Sequence, residues 1–146
     1  MQINDSLFEV KIQYNALDEN GKDHKFTENY LVDAVNFGDA ETKTIEHTAD
    51  HVPGYYTIAS VKRSNVVEIF DFDEGNKWFK ARVLFVTVGE NGKEKKEPNH
   101  MLIQAYDIKE ARERLEDKME GTTIDIEVVK IEETAILSVL SYEAKE

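Results

Sequence analysis

His47 and His51 stand four residues apart with Asp50 between them, a spacing that can set two imidazoles on one helix face for a metal ion. The metalloprotease pattern places Glu directly after the first His as general base, and Thr48 stands there. Histidines in a last helical turn also suit the negative end of the helix dipole, so the pair reads first as a helix terminus and no metal is expected. The other histidines, His24 and His100, stand alone.

Lys62-Arg63 is the only basic pair in an acidic half of the chain. With Tyr55 and Tyr56 upstream it forms a candidate grip for a phosphate or carboxylate, since a guanidinium fork matches either oxyanion. Lys130-Ile131 is read as its half-echo later in the chain, which adds Lys130 to the candidate ligand-binding residues. The plainer account is a solvated strand end, and the same holds for Lys93-Glu94-Lys95-Lys96.

Asp71-Phe72-Asp73-Glu74-Gly75-Asn76 begins like a calcium loop, but glycine falls fifth instead of sixth and Arg82 takes the twelfth place, where a bidentate Glu belongs. Glu132-Glu133 and Asp71-Asp73 are neighbours in sequence, which does not make them converge in space as acid and base catalysis requires. There is no Gly-rich phosphate loop, no Gly-x-Ser-x-Gly elbow and no cysteine. No catalytic residue and no cofactor are expected.

The elements that position these side chains follow from a duplication. Shifting the chain by 71 residues lays Phe8-Glu9-Val10-Lys11-Ile12-Gln13-Tyr14 on Phe79-Lys80-Ala81-Arg82-Val83-Leu84-Phe85, and Glu19-Asn20-Gly21-Lys22 on Glu90-Asn91-Gly92-Lys93. Without a gap it continues to Leu31-Val32-Asp33-Ala34 on Leu102-Ile103-Gln104-Ala105, then Asn36 on Asp107 and Ala40 on Ala111. A self-similarity at this period is the mark of a repeated supersecondary unit.

Each unit reads as a strand of period two, an Asn-Gly hairpin loop, a return strand and a helix. Asn36 and Asp107 are the expected N-caps, with Asp39 and Glu110 three residues on. The inner faces are Phe37, Ala40, Thr44 and Thr48 in one helix and Ile108, Ala111, Leu115 and Met119 in the other. Val52-Pro53-Gly54 and Gly121 should end them. Extended runs follow, Tyr55 to Val61 and Thr123 to Ile131; whether Val66 to Phe70 and Thr134 to Leu140 are separate strands stays open.

The expected fold is therefore α+β, one domain from a duplicated ββαβ(β) unit, with six to eight mainly antiparallel strands and two helices. The repeats span about 7–70 and 78–140, joined by an acidic linker at 71–77. Val83-Leu84-Phe85-Val86 is apolar on both faces, unlike Ile12-Gln13-Tyr14-Asn15, so a cover is expected there. Trp78, Leu84 and Val86 are the candidate interface residues, and a homodimer is one candidate cover.

Composition bounds the partners. At 146 residues the chain can bury a real core, and 40% hydrophobic with 33% charged residues is an ordinary globular mixture. Net charge is −12; residues 1–73 carry −8 and residues 74–146 carry −4. Such a surface repels phosphate backbones and anionic membranes and favours basic protein partners. Met1-Gln2-Ile3-Asn4-Asp5 lacks the regions of a signal peptide, no apolar run approaches a membrane span, and a cytoplasmic location is the expectation.

Tyr30-Leu31-Val32-Asp33-Ala34, Phe37 and Ala40, Val61-Lys62-Arg63-Ser64-Asn65, Trp78-Phe79-Lys80 and Glu133-Thr134-Ala135-Ile136 together resemble the domain-of-unknown-function family 4494 over nearly the whole chain. The resemblance implies a setting in Bacteroidetes bacteria and their phages, and it implies no activity. With no catalytic signature, the expectation is a non-enzymatic binding or adaptor protein of phage or mobile-element type. It would inhibit a host defence protein or sequester a small anionic ligand. The alternatives are an acidic DNA mimic, which the mixed outward row Glu9, Lys11, Gln13 and Asn15 does not favour, and a hydrolytic enzyme using a histidine.

Overall fold

The structure, a computed structural model, describes residues 6–52 and 54–140. Pro53 and Met1-Gln2-Ile3-Asn4-Asp5, which carried the helix-stop and signal-peptide readings, lie outside the described residues. Among the described residues there are eight strands and two helices, an α+β architecture in two four-stranded sheets.

The first copy supplies β1 (Leu7–Leu17), β2 (Asp23–Asp33), α1 (Phe37–Thr48), β3 (Tyr56–Arg63) and β4 (Val66–Phe70). The second supplies β5 (Lys77–Val88), β6 (Glu94–Ala105), α2 (Ile108–Met119), β7 (Asp125–Glu133) and β8 (Ile136–Leu140). The segments after Arg63 and Glu133 are thus separate strands. Their pairing departs from the repeat boundaries: the sheets run β3-β1-β2-β8 and β4-β6-β5-β7, so each takes its last strand from the other copy.

The compact units accordingly differ from the repeats. Among the described residues, one holds Ser6–Ser64 with residues 135–140, the other Asn65–Thr134. The chain leaves each sheet just after a pinned position: Ser64 N–H donates to the Leu7 carbonyl at 2.9 Å, and Thr134 N–H to the Trp78 carbonyl at 2.9 Å. Both incoming strands pair in parallel with the hairpin's second strand, β8 from Asn29↔Ile136 to Val32↔Leu140 and β4 from Val66↔His100 to Phe70↔Ile103.

The acidic linker lies inside one unit and is anchored there. Phe72 N–H donates to Gln104 Oε1 at 2.9 Å, Gln104 Nε2 donates to the Gly75 carbonyl at 3.1 Å, and the Arg114 guanidinium stacks on Phe72 with 4.5 Å to the ring centre. Glycine is required at 75, because a Cβ there would meet the Ala105 backbone nitrogen at 2.8 Å.

The duplication extends to individual hydrogen bonds. Asn36 caps α1 by accepting from Asp39 N–H, and Asp107 caps α2 by accepting from Glu110 N–H, each at 2.8 Å. The two acids reach back one residue beyond the N-cap, accepting from Val35 and Tyr106 N–H. Lys43 and Arg114 donate to the Asp33 and Gln104 carbonyls at 2.8 and 2.9 Å, tying each helix to its hairpin. Gly21 (φ 75°) and Gly92 (φ 77°) close the hairpins in the left-handed region, as a longer-than-two-residue loop demands.

Helix and sheet meet over matched cores. Phe8, Val10, Ile12, Tyr30, Val32, Ala34 and Ala40 correspond to Phe79, Ala81, Val83, Met101, Ile103, Ala105 and Ala111. The helices then diverge: α2 buries Leu115 and Met119, whereas α1 buries Thr44 and Thr48, whose hydroxyls donate to the Ala40 and Thr44 carbonyls at 2.8 and 2.9 Å. The leading residues of both predicted faces, Phe37 and Ile108, are instead about half exposed.

Candidate functional site

The residues singled out in the sequence divide between places. Tyr56 pairs with Tyr14 at one end of the β1–β3 ladder and Arg63 pairs with Phe8 at the other. Seven residues of strand separate them, roughly 23 Å. Tyr55, fully exposed, and Tyr56 line a cleft of about 310 Å³ with Gln13, Tyr14, Asn15, Lys25 and Thr57. Lys62 and Arg63 are not part of it. The Arg63 guanidinium lies against Phe8 and Phe37, 5.1 and 5.6 Å from the ring centres, and the exposed Lys62 ammonium is 3.7 Å from Glu9.

The register also corrects the expected echo at Lys130. Both ladders carry a bulge at the same place, between Lys11 and Ile12 and between Arg82 and Val83. Counting through it, Ser60 opposite Lys11 corresponds to Lys130 opposite Arg82, while Lys62-Arg63 corresponds to Glu132-Glu133. The bulge is common to both copies; the misstep lies before it, because equivalent residues are 71 apart at the helix ends Thr48 and Met119 but 70 apart from Tyr56 and Ile126 onward, so the second helix–strand connection is one residue shorter. Lys130 also borders a cleft of about 410 Å³ between the start of α2 (Ile108, Lys109, Arg112) and β7 (Val128, Val129, Ile131). Trp78, expected at an interface, is only 7% exposed, and its carbonyl accepts from both Thr134 N–H and Thr134 Oγ1. Leu84 and Val86 are half-buried.

His51 joins a cluster that the sequence reading missed. Glu28 on β2 accepts from the Tyr14 hydroxyl at 2.8 Å, from the Tyr30 hydroxyl and from His51 Nε2 at 3.1 Å. His47 packs edge-on against both Tyr30 and His51, at 5.3 and 5.4 Å between ring centres. Burial raises the Glu28 pKa, but the bonds from Tyr30, Tyr14 and His51 outweigh it and hold the carboxyl below its ordinary value. Burial, then the hydrogen bond and charge of Glu28, push both tyrosine hydroxyls up. The 71-residue shift held the signal: Tyr14, Glu28, Tyr30, His47 and His51 face Phe85, Asn99, Met101, Lys118 and Thr122. Among the described residues no three His, Asp or Glu side chains gather closely enough to hold a metal ion.

The second copy carries a different constellation. On the sheet face away from α2, His100, Arg82 and Lys130 stand side by side on β6, β5 and β7. Lys80 lies two residues along β5 on the same face. Lys130 contacts Glu132 at 3.2 Å, and Glu132 stands directly opposite Lys80 on the β5–β7 ladder, whereas among the described residues Arg82 has no carboxylate partner. Burial, then the charges of Lys80 and Arg82, hold the His100 pKa below its ordinary value. The first copy has Asn29, Lys11 and Ser60 in the row, and Glu9 in the place of Lys80. Like charges directly opposite on neighbouring strands are destabilising, so the Arg82–Lys130 pairing carries a local cost that Ser60 opposite Lys11 avoids.

A family model, domain of unknown function DUF4494, matches residues 6–142. Neither a curated protein nor a solved structure gives a match.

Proposed function

We propose that this chain, which belongs to the DUF4494 family, is a non-enzymatic binding protein that takes an anionic ligand on the sheet face of its second copy. The observation that carries the reading is the row His100, Arg82 and Lys130 with Lys80 beside it. In a chain with 30 acidic and 18 basic side chains, the row of three cations and His100 has one carboxylate beside it, Glu132 against Lys130 and opposite Lys80, and among the described residues Arg82 has none. An arriving anion relieves a repulsion that the empty face carries, which is how a surface that is costly in the free protein favours its complex.

The acidic remainder of the surface selects for small ligands over extended polyanions, because −12 repels a nucleic-acid backbone outside the row. The phage or mobile-element setting that the resemblance implies makes removal of such a ligand from a host protein the working form of the proposal, in the cytoplasm. A homodimer through Leu84 and Val86 belongs to the same proposal, and sedimentation at rising concentration tests it.

Calorimetric titration with acetate, citrate, sulfate and phosphate at fixed ionic strength tests the binding reading. Saturable binding of at least one anion to the natural chain, weakened in Arg82→Gln, is expected. No binding of any, or equal binding by the variant, overturns it.

A further inference from the structure

We infer that the anion is a phosphoryl group of a small phosphate ester or anhydride, seated over Arg82 between His100 and Lys130; this rests on the binding reading above. The strand order β6-β5-β7 puts the three side chains on adjacent strands. Strands lie about 4.7–4.9 Å apart, so the row spans roughly 10 Å. Lys80 extends it along β5.

A carboxylate has two oxygens in one plane. Arg82 satisfies both with its fork, which leaves His100 and the lysine ammoniums facing one another without an anion between them. A phosphoryl group offers three acceptor oxygens and up to two charges. Two oxygens meet the Arg82 fork and the third turns to His100 or a lysine. An anhydride extends the same contacts along the row. The charge demand of the site therefore matches a dianion better than a monoanion.

His100 is the internal reporter. The cations facing it are Lys80 and Arg82 from β5, and the charged residue on neighbouring β4 is Glu68, opposite Met101. A dianion placed over Arg82 offsets the two charges that disfavour a proton on His100, so the imidazole takes up a proton from solvent as the ligand binds. In the first copy Asn29 occupies the place of His100, and no such coupling is available there.

The test is an NMR titration of the His100 ring proton at fixed ionic strength, alone and with saturating acetate, inorganic phosphate or pyrophosphate, with exposed His24 as the internal control. The expected result is a rise of about one pH unit in the His100 midpoint with phosphate or pyrophosphate and none with acetate. Arg82→Gln should abolish the rise and weaken phosphate binding tenfold or more, Arg82→Lys should weaken it less, and Lys62→Gln should change neither. An equal rise with acetate overturns the phosphoryl assignment and leaves the binding reading standing. No response to any anion overturns both.

Discussion

Arg82 stands directly across the β5–β7 ladder from Lys130, and His100 flanks Arg82 on the other side. A cation opposite a cation costs the folded sheet a little stability. The first copy has the same ladder with Ser60 opposite Lys11 and Asn29 beyond, and it forms the same sheet. On the proposed reading, the row gives up some local stability in favour of a ligand.

That relationship makes a stability prediction. Lys130→Ser, which copies the first repeat, should leave the fold intact and stabilise it by roughly 0.2–1 kcal/mol at low salt, with the gain shrinking as salt is added. Thermal unfolding at two ionic strengths measures this. A loss of stability at low salt would mean that the Lys130–Glu132 contact outweighs the repulsion.

Glu28 makes a pH prediction. Its folded-state pKa lies below the ordinary 4.5, so its contribution is fully present above that value and is lost as pH falls through the lower folded value. Tyr30→Phe removes one of its donors, and should cost about 1–3 kcal/mol at neutral pH and move the Glu28 midpoint upward. Chemical denaturation from pH 7 to pH 3 follows the first effect and carboxyl NMR the second. An unchanged Glu28 midpoint would show that Tyr30 does not hold the carboxylate.

The strand exchange makes a third prediction. Ending the chain after Thr134 removes β8, whose register partners are Asn29 to Val32 of the first copy's hairpin. Amide exchange should therefore quicken along β2, while β6, which pairs with β4, keeps its protection. Loss of protection centred on β6 would contradict the exchanged pairing.

The helices make a fourth. Leu115 is fully buried in α2, and Leu115→Ala should cost about 2–5 kcal/mol. Thr44 fills the matching place in α1 with a hydroxyl bonded within its own helix, so Thr44→Ala should cost less than half as much, as paired denaturant melts will report. Equal losses would deny that the two cores are filled differently.

Much of the fold was legible because the 71-residue shift preserves its local signals: Asn36 and Asp107 as caps, Gly21 and Gly92 in the loops, and the alternation from Phe8 to Tyr14. These are short-range effects of side chain on backbone. The exchange of β4 and β8 was not legible, since either sheet offers the same parallel edge and the choice is made by tertiary packing. Lys130 was named as a ligand residue but matched to the wrong partner, because the connection from helix to strand is one residue shorter in the second copy and the unpaired strands give no register of their own. Arg82 and His100 were missed for a related reason. They lie 18 residues apart and become neighbours only when β5 and β6 pair. The Glu28 cluster was visible only as a difference between copies, and comparing the copies position by position would have found it.

The central claim is that the second copy binds an anion through a row that the first copy lacks. The most direct measurement gives the second copy the first copy's residues, in the double variant His100→Asn with Lys130→Ser, and titrates it with pyrophosphate by calorimetry at fixed ionic strength. The account predicts binding at least tenfold weaker than in the natural chain, about 1.4 kcal/mol, with Lys62→Gln unchanged. Undiminished binding by the double variant, or a loss confined to Lys62→Gln, would contradict it.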